Sequence, residues 1–424
     1  MKFITIFATR YEIPKQKRMK RLLIISLSIC FFCVAVEAKT SKSPLIGETL
    51  PAWSEGYLDI HTISSGRGEC LLIVMPDGTS MVIDAGELVY KSTPTKKSPY
   101  GMAKPRPNNE VRPVKVYADY IRNFMPYKEA IDYYHLSHFH MDHMGSTRFK
   151  RWKRHEEGDY IKTGPTELFH HIPFREANDR AYPDYEKWTA QATGIDAMNN
   201  YRKFLEYHIA KGELKASMFE LGATNQFALR HNPSAYPNFN IENVCSNGMV
   251  WNKAQNKIIN VYNGRTIREN ASSCGFVIRY GKFDFFTAGD IGDYYDFEYE
   301  VAKAVGKIDA IKAHHHLSPH SMGEKSMKVL SPQVMSVTSF GNREIQPDQS
   351  KFKYITKGGC KMYCTSVGEA MLELYPRIYK KCRSVSGHVV FRVEPNGERF
   401  WVYVLDDFDS EYRITLVDGP FLAK

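Results

Sequence analysis

From Gly56 onward the chain alternates short apolar runs with tight turns, the pattern of a sheet-rich domain. Residues 58–63, 70–75 and 80–86 are strand-like, separated by a turn over 64–68 and by Pro76-Asp77-Gly78-Thr79, so the last two close as a hairpin. Val116, Tyr120 and Phe124 then recur at helical spacing, and 131–136 returns to strand. Residues 148–215 are polar and aromatic, with helical stretches at 185–191 and 196–211, and read as a helical insertion or cap. Short strands with Asn-rich turns fill 219–265. Residues 275–280 and 283–287 form a strand pair about a Gly281-Lys282 turn, and 308–313 is a short alternating strand. Residues 387–393 and 399–405 flank Pro395-Asn396-Gly397 as a hairpin within a β-rich extension, 371–424, that adds strands to the domain or forms a small appendage. Two segments break the pattern. Residues 39–56 are polar and linker-like, and 87–112, rich in Pro, Lys and Asn, reads as an exposed insertion able to border a site.

The first 38 residues carry a different signal. Basic residues from Lys15 to Arg21 precede an apolar run, Leu22 to Val36, that ends Val36-Glu37-Ala38. This is the layout of a secretory signal peptide, too short for an ordinary membrane span, and it predicts export to a periplasm or the medium with no stable span after cleavage. The same segment holds seven Lys/Arg and two Asp/Glu, so it supplies half of the formal charge of +10. The remaining 386 residues are only mildly basic, which removes the electrostatic case for an obligate nucleic-acid binder. Six of the eight cysteines lie beyond residue 38, and Cys360, Cys364 and Cys382 are the cluster best placed to pair in an oxidising compartment.

The chemistry concentrates in Ser137-His138-Phe139-His140-Met141-Asp142-His143, directly after the 131–136 strand. His138 and His140 are two apart, so in extended backbone they face one side and can hold one ion. Asp142 and His143 follow on the turn and can reach a second ion, the layout of a two-metal hydrolytic site. Asp290 ends the 283–287 strand between two glycines, and a carboxylate there can bridge two cations. An isolated aspartate in such a place more often caps a turn, but this one lies between two His clusters. The second cluster is His314-His315-His316, at the end of the 308–313 strand. Only one of the three is expected to bind metal, and another can hydrogen-bond substrate or protonate a leaving group. His61, His135 and His388 lie in or beside strands and read as structural.

The His-x-His-x-Asp-His run resembles the metallo-β-lactamase superfamily across roughly residues 57–370. Within it the chain is most similar to the extracytoplasmic domain of ComEC-type DNA-uptake proteins and their stand-alone secreted relatives. The resemblance is carried by Gly66-Arg67-Gly68-Glu69, Ile83-Asp84-Ala85-Gly86, Asn270-Ala271-Ser272-Ser273 with Gly289-Asp290, and Asp309, Lys312, His315, His316 and Ser318, with Leu317 where glycine is usual. It implies an αββα four-layer sandwich with the helical insertion and C-terminal β extension noted above. It also implies two divalent ions, zinc or else manganese: the first held by His138, His140 and Asp290, the second by Asp142, His143, Asp290 and one of His315 and His316. Asp84, Asn270 and Ser272 would support them from behind. Asp142, His315 and His316 are the residues expected to enter the chemistry.

Many superfamily hydrolases carry a further His between the first cluster and the bridging Asp. His155, His170, His171, His208 and His231 occupy that interval, but none stands at a strand end before Asp290, and Asn270 or Ser272 takes the place. A harder, weaker first site suits phosphoesters, so the expected function is hydrolysis of a phosphodiester by a metal-bridging hydroxide. The substrate would be a small molecule or a polymer: a phosphocholine- or teichoic-acid-type ester, or nucleic acid. The alternatives are a lactonase- or lactamase-like hydrolase and a non-catalytic, metal-stabilised binding protein. The aromatic residues Tyr182, Tyr185, Trp188, Tyr201 and Tyr207 would be the core of the cap or a wall for a choline-like cation.

Overall fold

The computed structural model describes residues 46–90, 100–187, 194–341 and 345–424. The expected signal segment, Trp188 and most of the 185–191 helix lie outside these. Two sheets dominate. The first has nine strands in the spatial order Ile414–Leu422, Arg399–Leu405, His388–Val393, Leu58–Thr62, Leu71–Val74, Ser80–Ile83, Ile131–His135, Phe174–Asp179 and Lys215–Met218. The second has eight: Lys257–Asn260, Met249–Asn252, Phe239–Ser246, Gly275–Tyr280, Phe283–Thr287, Ala310–Lys312, Val334–Val337 and Lys361–Cys364.

Strand alternation builds the layers. Along Leu71–Val74, Leu71 and Ile73 join a core shared with Phe276, Ile278, Phe283 and Phe285 of the second sheet. Their neighbours Leu72 and Val74 point the other way, into a core with Val114, Tyr117 and Ile121 of the helix Pro113–Phe124. That helix starts on a proline at its first turn, where the missing N–H costs nothing, and buries one apolar stripe. The outer face of the second sheet is covered in the same way by Phe297–Val305, Glu324–Leu330 and Phe352–Lys357. Helix, sheet, sheet, helix: this is the αββα sandwich that the resemblance implies.

Segments read from the sequence as additions are built into the sandwich. Residues 148–215 contain the helices Pro165–His171 and Ile195–Ala210, but also Phe174–Asp179 and Lys215–Met218, which extend the first sheet in parallel. Tyr185 and Tyr201 are buried in the core under those helices, with Tyr182 and Tyr207 packed against it, the cap-core alternative of the two read from the sequence. In the 371–424 stretch, His388–Val393 pairs with Leu58–Thr62 inside the sheet. Of the expected linker, Leu50 is buried and Gly47 N–H donates to Ile414 at 2.8 Å. Described parts of the expected exposed insertion are also threaded inward: Arg106 is buried against Asp407 at 3.0 Å, and Ala103 N–H bonds Phe340 O, while Asn108 to Glu110 stay exposed. Local composition suggested loops here because Pro, Lys and Asn report turn propensity and cannot report a buried ion pair.

The strands that matter most for the site are parallel. Ser80–Ile83 pairs in parallel with Ile131–His135, and Phe283–Thr287, Ala310–Lys312 and Val334–Val337 do so in the second sheet. Their carboxyl ends deliver Asp84, the 137–143 loop, Asp290, the 314–316 triplet and Thr338 to one end of the sandwich. No described helix is long and apolar enough to cross a membrane.

Candidate metal centre

Asp84 sits at φ +60, a left-handed conformation that Asp tolerates better than most residues, and this turns its carboxylate beneath the 137–143 loop. There it accepts the Ser137 N–H at 2.8 Å, the Ser137 hydroxyl at 2.7 Å and His143 Nδ1–H at 2.7 Å. The loop is also laced by backbone bonds to Glu69, Ala85 and Glu87. Gly86 is required for this: a Cβ there would lie 1.6 Å from Asp142 O.

These contacts decide which ring atoms face inward. Ser137 Oγ gives its proton to Asp84, so at His138 Nδ1, 3.1 Å away, it accepts. His316 Nδ1 donates to the Thr338 carbonyl at 3.0 Å. With all three Nδ1–H groups committed, the Nε2 atoms of His138, His143 and His316 are left facing the interior. His143 Nε2 and His316 Nε2 are 3.3 Å apart, Asp290 Oδ2 is 3.2 and 3.3 Å from them, and Asp142 Oδ2 is 3.4 Å from His316 Nε2. Ligand bonds of about 2.0–2.1 Å to a tetrahedral ion put ligand atoms roughly 3.3 Å apart, so this cage has the size for one small cation. A second group shares Asp290 Oδ2, with His138 Nε2 at 3.8 Å and His140 Nδ1 3.0 Å from His138 Nε2. Asp290 Oδ1 is buried with no hydrogen-bond partner.

The charge balance leaves room for a cation. Asp84, Glu69, Asp142 and Asp290 crowd the centre against one buried ammonium, Lys312. Four carboxylates and a single lysine leave an excess of negative charge that burial makes expensive unless cations or protons fill it. Glu69 lies close enough to be taken for a ligand. Its oxygens, however, are engaged by Lys312 Nζ at 2.8 Å and the Thr338 hydroxyl at 2.5 Å, so it serves to hold Lys312 and Thr338 in place. Sequence reading missed this role, although the Gly66-x-Gly68-Glu69 turn marked the position.

His316, of the pair left open by the sequence, is the one in the cage. It gets there through three successive non-glycine residues in the left-handed region, His315 at φ +47, His316 at +54 and Leu317 at +57. Such residues cost roughly 1–2 kcal/mol each, so the surroundings must over-determine the turn. Leu317 stands where glycine is usual in the family this chain resembles, and its full burial in the second core offsets the strain. His315 is turned outward instead, with Nδ1 2.8 Å from Ser318 Oγ and Nε2 accepting from Asn270 Nδ2 at 3.1 Å.

Burial depresses the His316 imidazolium, but the Asp290 and Asp142 carboxylates more than reverse this and raise it to about 9. His143 is likewise depressed by burial and lifted well above its ordinary value by Asp290 and Asp84. Without metal, protons therefore fill the cage. A divalent ion binding near pH 7 should release at least one proton, and the contribution of His316 should fade as pH rises past about 9. Calorimetry in buffers of different ionisation enthalpy measures this directly. Metal binding with no proton release would contradict the assignment of His316.

One expected supporting residue is displaced. Ser272 Oγ turns back to Arg268 O, whereas Ser273 Oγ accepts the Asp290 N–H at 3.1 Å, because the tight helical turn Asn270–Ser272 rotates the earlier serine away. No interval histidine joins the centre. His170 and His208 gather on Tyr160 with His155 stacked beside them, His171 lies by Glu167, and His231 lies by Asp132. A cavity of about 420 Å³ opens on the centre, its lining mixed: His140, Asp142, Asn270, Asp290 and His315 with Arg148, Asp196 and Gln346, and Leu88, Val89, Met102 and Phe149 among them.

No protein-family model matches the chain, and no curated protein does. Among solved structures, the hydrolase AbOPH of the β-lactamase superfamily is similar over 76% of this chain and 90% of its own, at 10% identity and a TM-score of 0.30. The short form of human tRNase Z is similar over 77% and 89%, at 9% identity and a TM-score of 0.26. Likeness at this level adds no weight to the sheet order and ligand geometry above.

Proposed function

We propose that this chain is an exported, metal-dependent phosphodiesterase whose first ion is held by His138, His140 and Asp290 and whose second is held by Asp142, His143, Asp290 and His316. The observation that carries the reading is Asp290, which belongs to both ligand groups, its Oδ2 lying 3.2–3.8 Å from the Nε2 atoms of His138, His143 and His316. Zinc or manganese would supply Lewis acidity and lower the pKa of a water molecule between the ligands. Two dications would more than balance the excess carboxylates, which favours an anionic substrate. The first group has two imidazoles and a shared carboxylate, with Asn270 nearby, and so keeps room for a substrate oxygen.

The chain's own residues supply the rest. Asp84 and Thr338 fix the ligand rings, and Lys312 steadies Glu69 and Gly289 O beneath Asp290. His315 is held by Asn270 and Ser318 at the cavity edge; with Nε2 accepting from Asn270 it carries no proton there as it stands, and it would first take one up, as imidazolium, before passing it to a departing alkoxide. A volume of about 420 Å³ suits a small or terminal phosphodiester better than a polynucleotide laid along a groove.

The test is turnover of bis-p-nitrophenyl phosphate, p-nitrophenyl phosphorylcholine and nitrocefin by metal-counted protein. Diester turnover supports the proposal and nitrocefin alone would transfer it to the lactamases. Bound metal with no turnover would point to a binding protein. His315→Asn should lower kcat by roughly 10²–10⁴-fold with KM and metal content nearly unchanged, since Asn also accepts a left-handed backbone. A normal kcat would remove His315 from the proton path.

A further inference from the structure

The 137–143 and 288–290 loops account for three of the four residues around the second cage. The fourth, His316, depends on a turn that its own sequence disfavours. Glu298 is fully buried in the first turn of the helix Phe297–Val305, outside every motif in the sequence. Its Oε1 accepts His314 Nδ1–H at 2.8 Å and the Met322 N–H at 2.6 Å, and its Oε2 accepts the Gly323 N–H at 2.8 Å. One carboxylate thus joins the two ends of the 314–323 loop. Inside that loop Ser321 Oγ donates to His314 O at 2.7 Å, and Met322 itself lies at φ +53. Glu298 N–H also donates to Gly292 O at 3.2 Å, and Asp293 N–H to His320 O at 2.9 Å. The segment after Asp290 and the loop bearing His316 are therefore held together.

We infer that Glu298 and His314 form a positioning pair that keeps the left-handed 315–317 turn closed, so that His316 Nε2 stays in the cage with Asp290. The inference rests on the two-ion reading of the centre. A buried carboxylate accepting three N–H groups is worth far more here than at the surface, because each donor it releases would be left unpaired away from water. His314 is the member of the triplet that faces away from the metals: its Nε2 has no hydrogen-bond partner and its ring edge meets Phe286. Its role is to present Nδ1–H to Glu298. Relaxing this pair should let the turn open toward ordinary backbone angles, displacing His316 while leaving His138 and His140 where Asp84, Ser137 and the first sheet hold them.

The experiment titrates the full chain with Co²⁺ as the probe, reading each binding step from its visible absorption, beside thermal unfolding of the metal-free protein. Glu298→Gln keeps the side-chain length but sets an amide donor against one of the N–H groups. His314→Leu removes the donor. His314→Asn restores an N–H at the position of Nδ1. Affinity for the Co²⁺ held by His143, His316 and Asp290 should fall at least about tenfold in Glu298→Gln and His314→Leu, whichever step fills it, with the step at His138 and His140 unchanged and His314→Asn close to wild type. A purely structural pair would lower the unfolding temperature and leave both steps, or move both equally, and would not separate Asn from Leu. Two wild-type binding steps in both disruptive variants would overturn the inference alone. A wild-type chain that binds no Co²⁺ would overturn the centre and the inference with it.

Discussion

Asp290→Asn is expected to drop bound metal to one ion or fewer per chain and to lower kcat by about 10³-fold, the several kcal/mol that a shared cationic centre contributes to a charged transition state. Asp290 Oδ2 is the atom common to both ligand groups, within 3.2–3.8 Å of His138, His143 and His316 Nε2. An amide retains shape and burial but loses the charge, and its N–H₂ would confront the ring nitrogens. A second consequence separates this from simple misfolding. Asp290 is the main group lifting both His316 and His143 against burial, so in the metal-free variant both imidazoles should titrate lower. Histidine resonances followed against pH would show it. Wild-type metal content in Asp290→Asn would mean that two separate sites exist and that no carboxylate bridges them.

Arg180→Met should cost about 3–5 kcal/mol of stability, the range for stranding one partner of a buried ion pair. Arg180 and Glu269 both have fully buried side chains and meet at 2.7 Å, with Arg180 Nε also on Glu269 Oε1 at 3.1 Å. The guanidinium lies 4.3 Å above the Phe139 ring, and Glu269 accepts the Phe139 N–H at 2.8 Å. Phe139 is the residue between His138 and His140, so the pair secures the first ligand group by its backbone. Urea unfolding measures the loss. The double change Arg180→Met with Glu269→Leu should recover part of it, since no charge is then left alone. A single substitution costing under about 1 kcal/mol would show that water reaches Glu269.

Much of the centre was legible along the chain because its residues are local: His138, His140, Asp142 and His143 occupy one loop, and strand alternation places that loop at a strand end. Asp290 and the 314–316 triplet were legible by the same rule, each standing just past an apolar run. The residues that escaped reading act across the fold. Glu69 and Glu298 look like ordinary acidic residues until Lys312 and His314 are brought to them, and Ser273 looks interchangeable with Ser272. The extent of the sandwich was harder still. Residues 148–215 were set apart because polar and aromatic composition says nothing about partner strands, whereas Phe174–Asp179 lies inside the first sheet; for the 387–405 hairpin the sequence left added strands and an appendage open, and His388–Val393 joins that sheet.

By itself, then, the sequence determined a sheet-rich class and the atoms able to bind a cation, because side-chain chemistry and the period of two along a strand are properties of neighbours in the chain; the two-sheet sandwich came from the resemblance its motifs carry. It also determined the expectation of export, carried by residues 1–38, which lie outside the described ones. Only the tertiary structure decided that His316 and not His315 enters the cage. That choice is made by three left-handed residues, the Thr338 carbonyl and the Glu298 carboxylate. Those partners lie 16 to 22 residues from the histidines they hold, and no local propensity favours the turn they enforce.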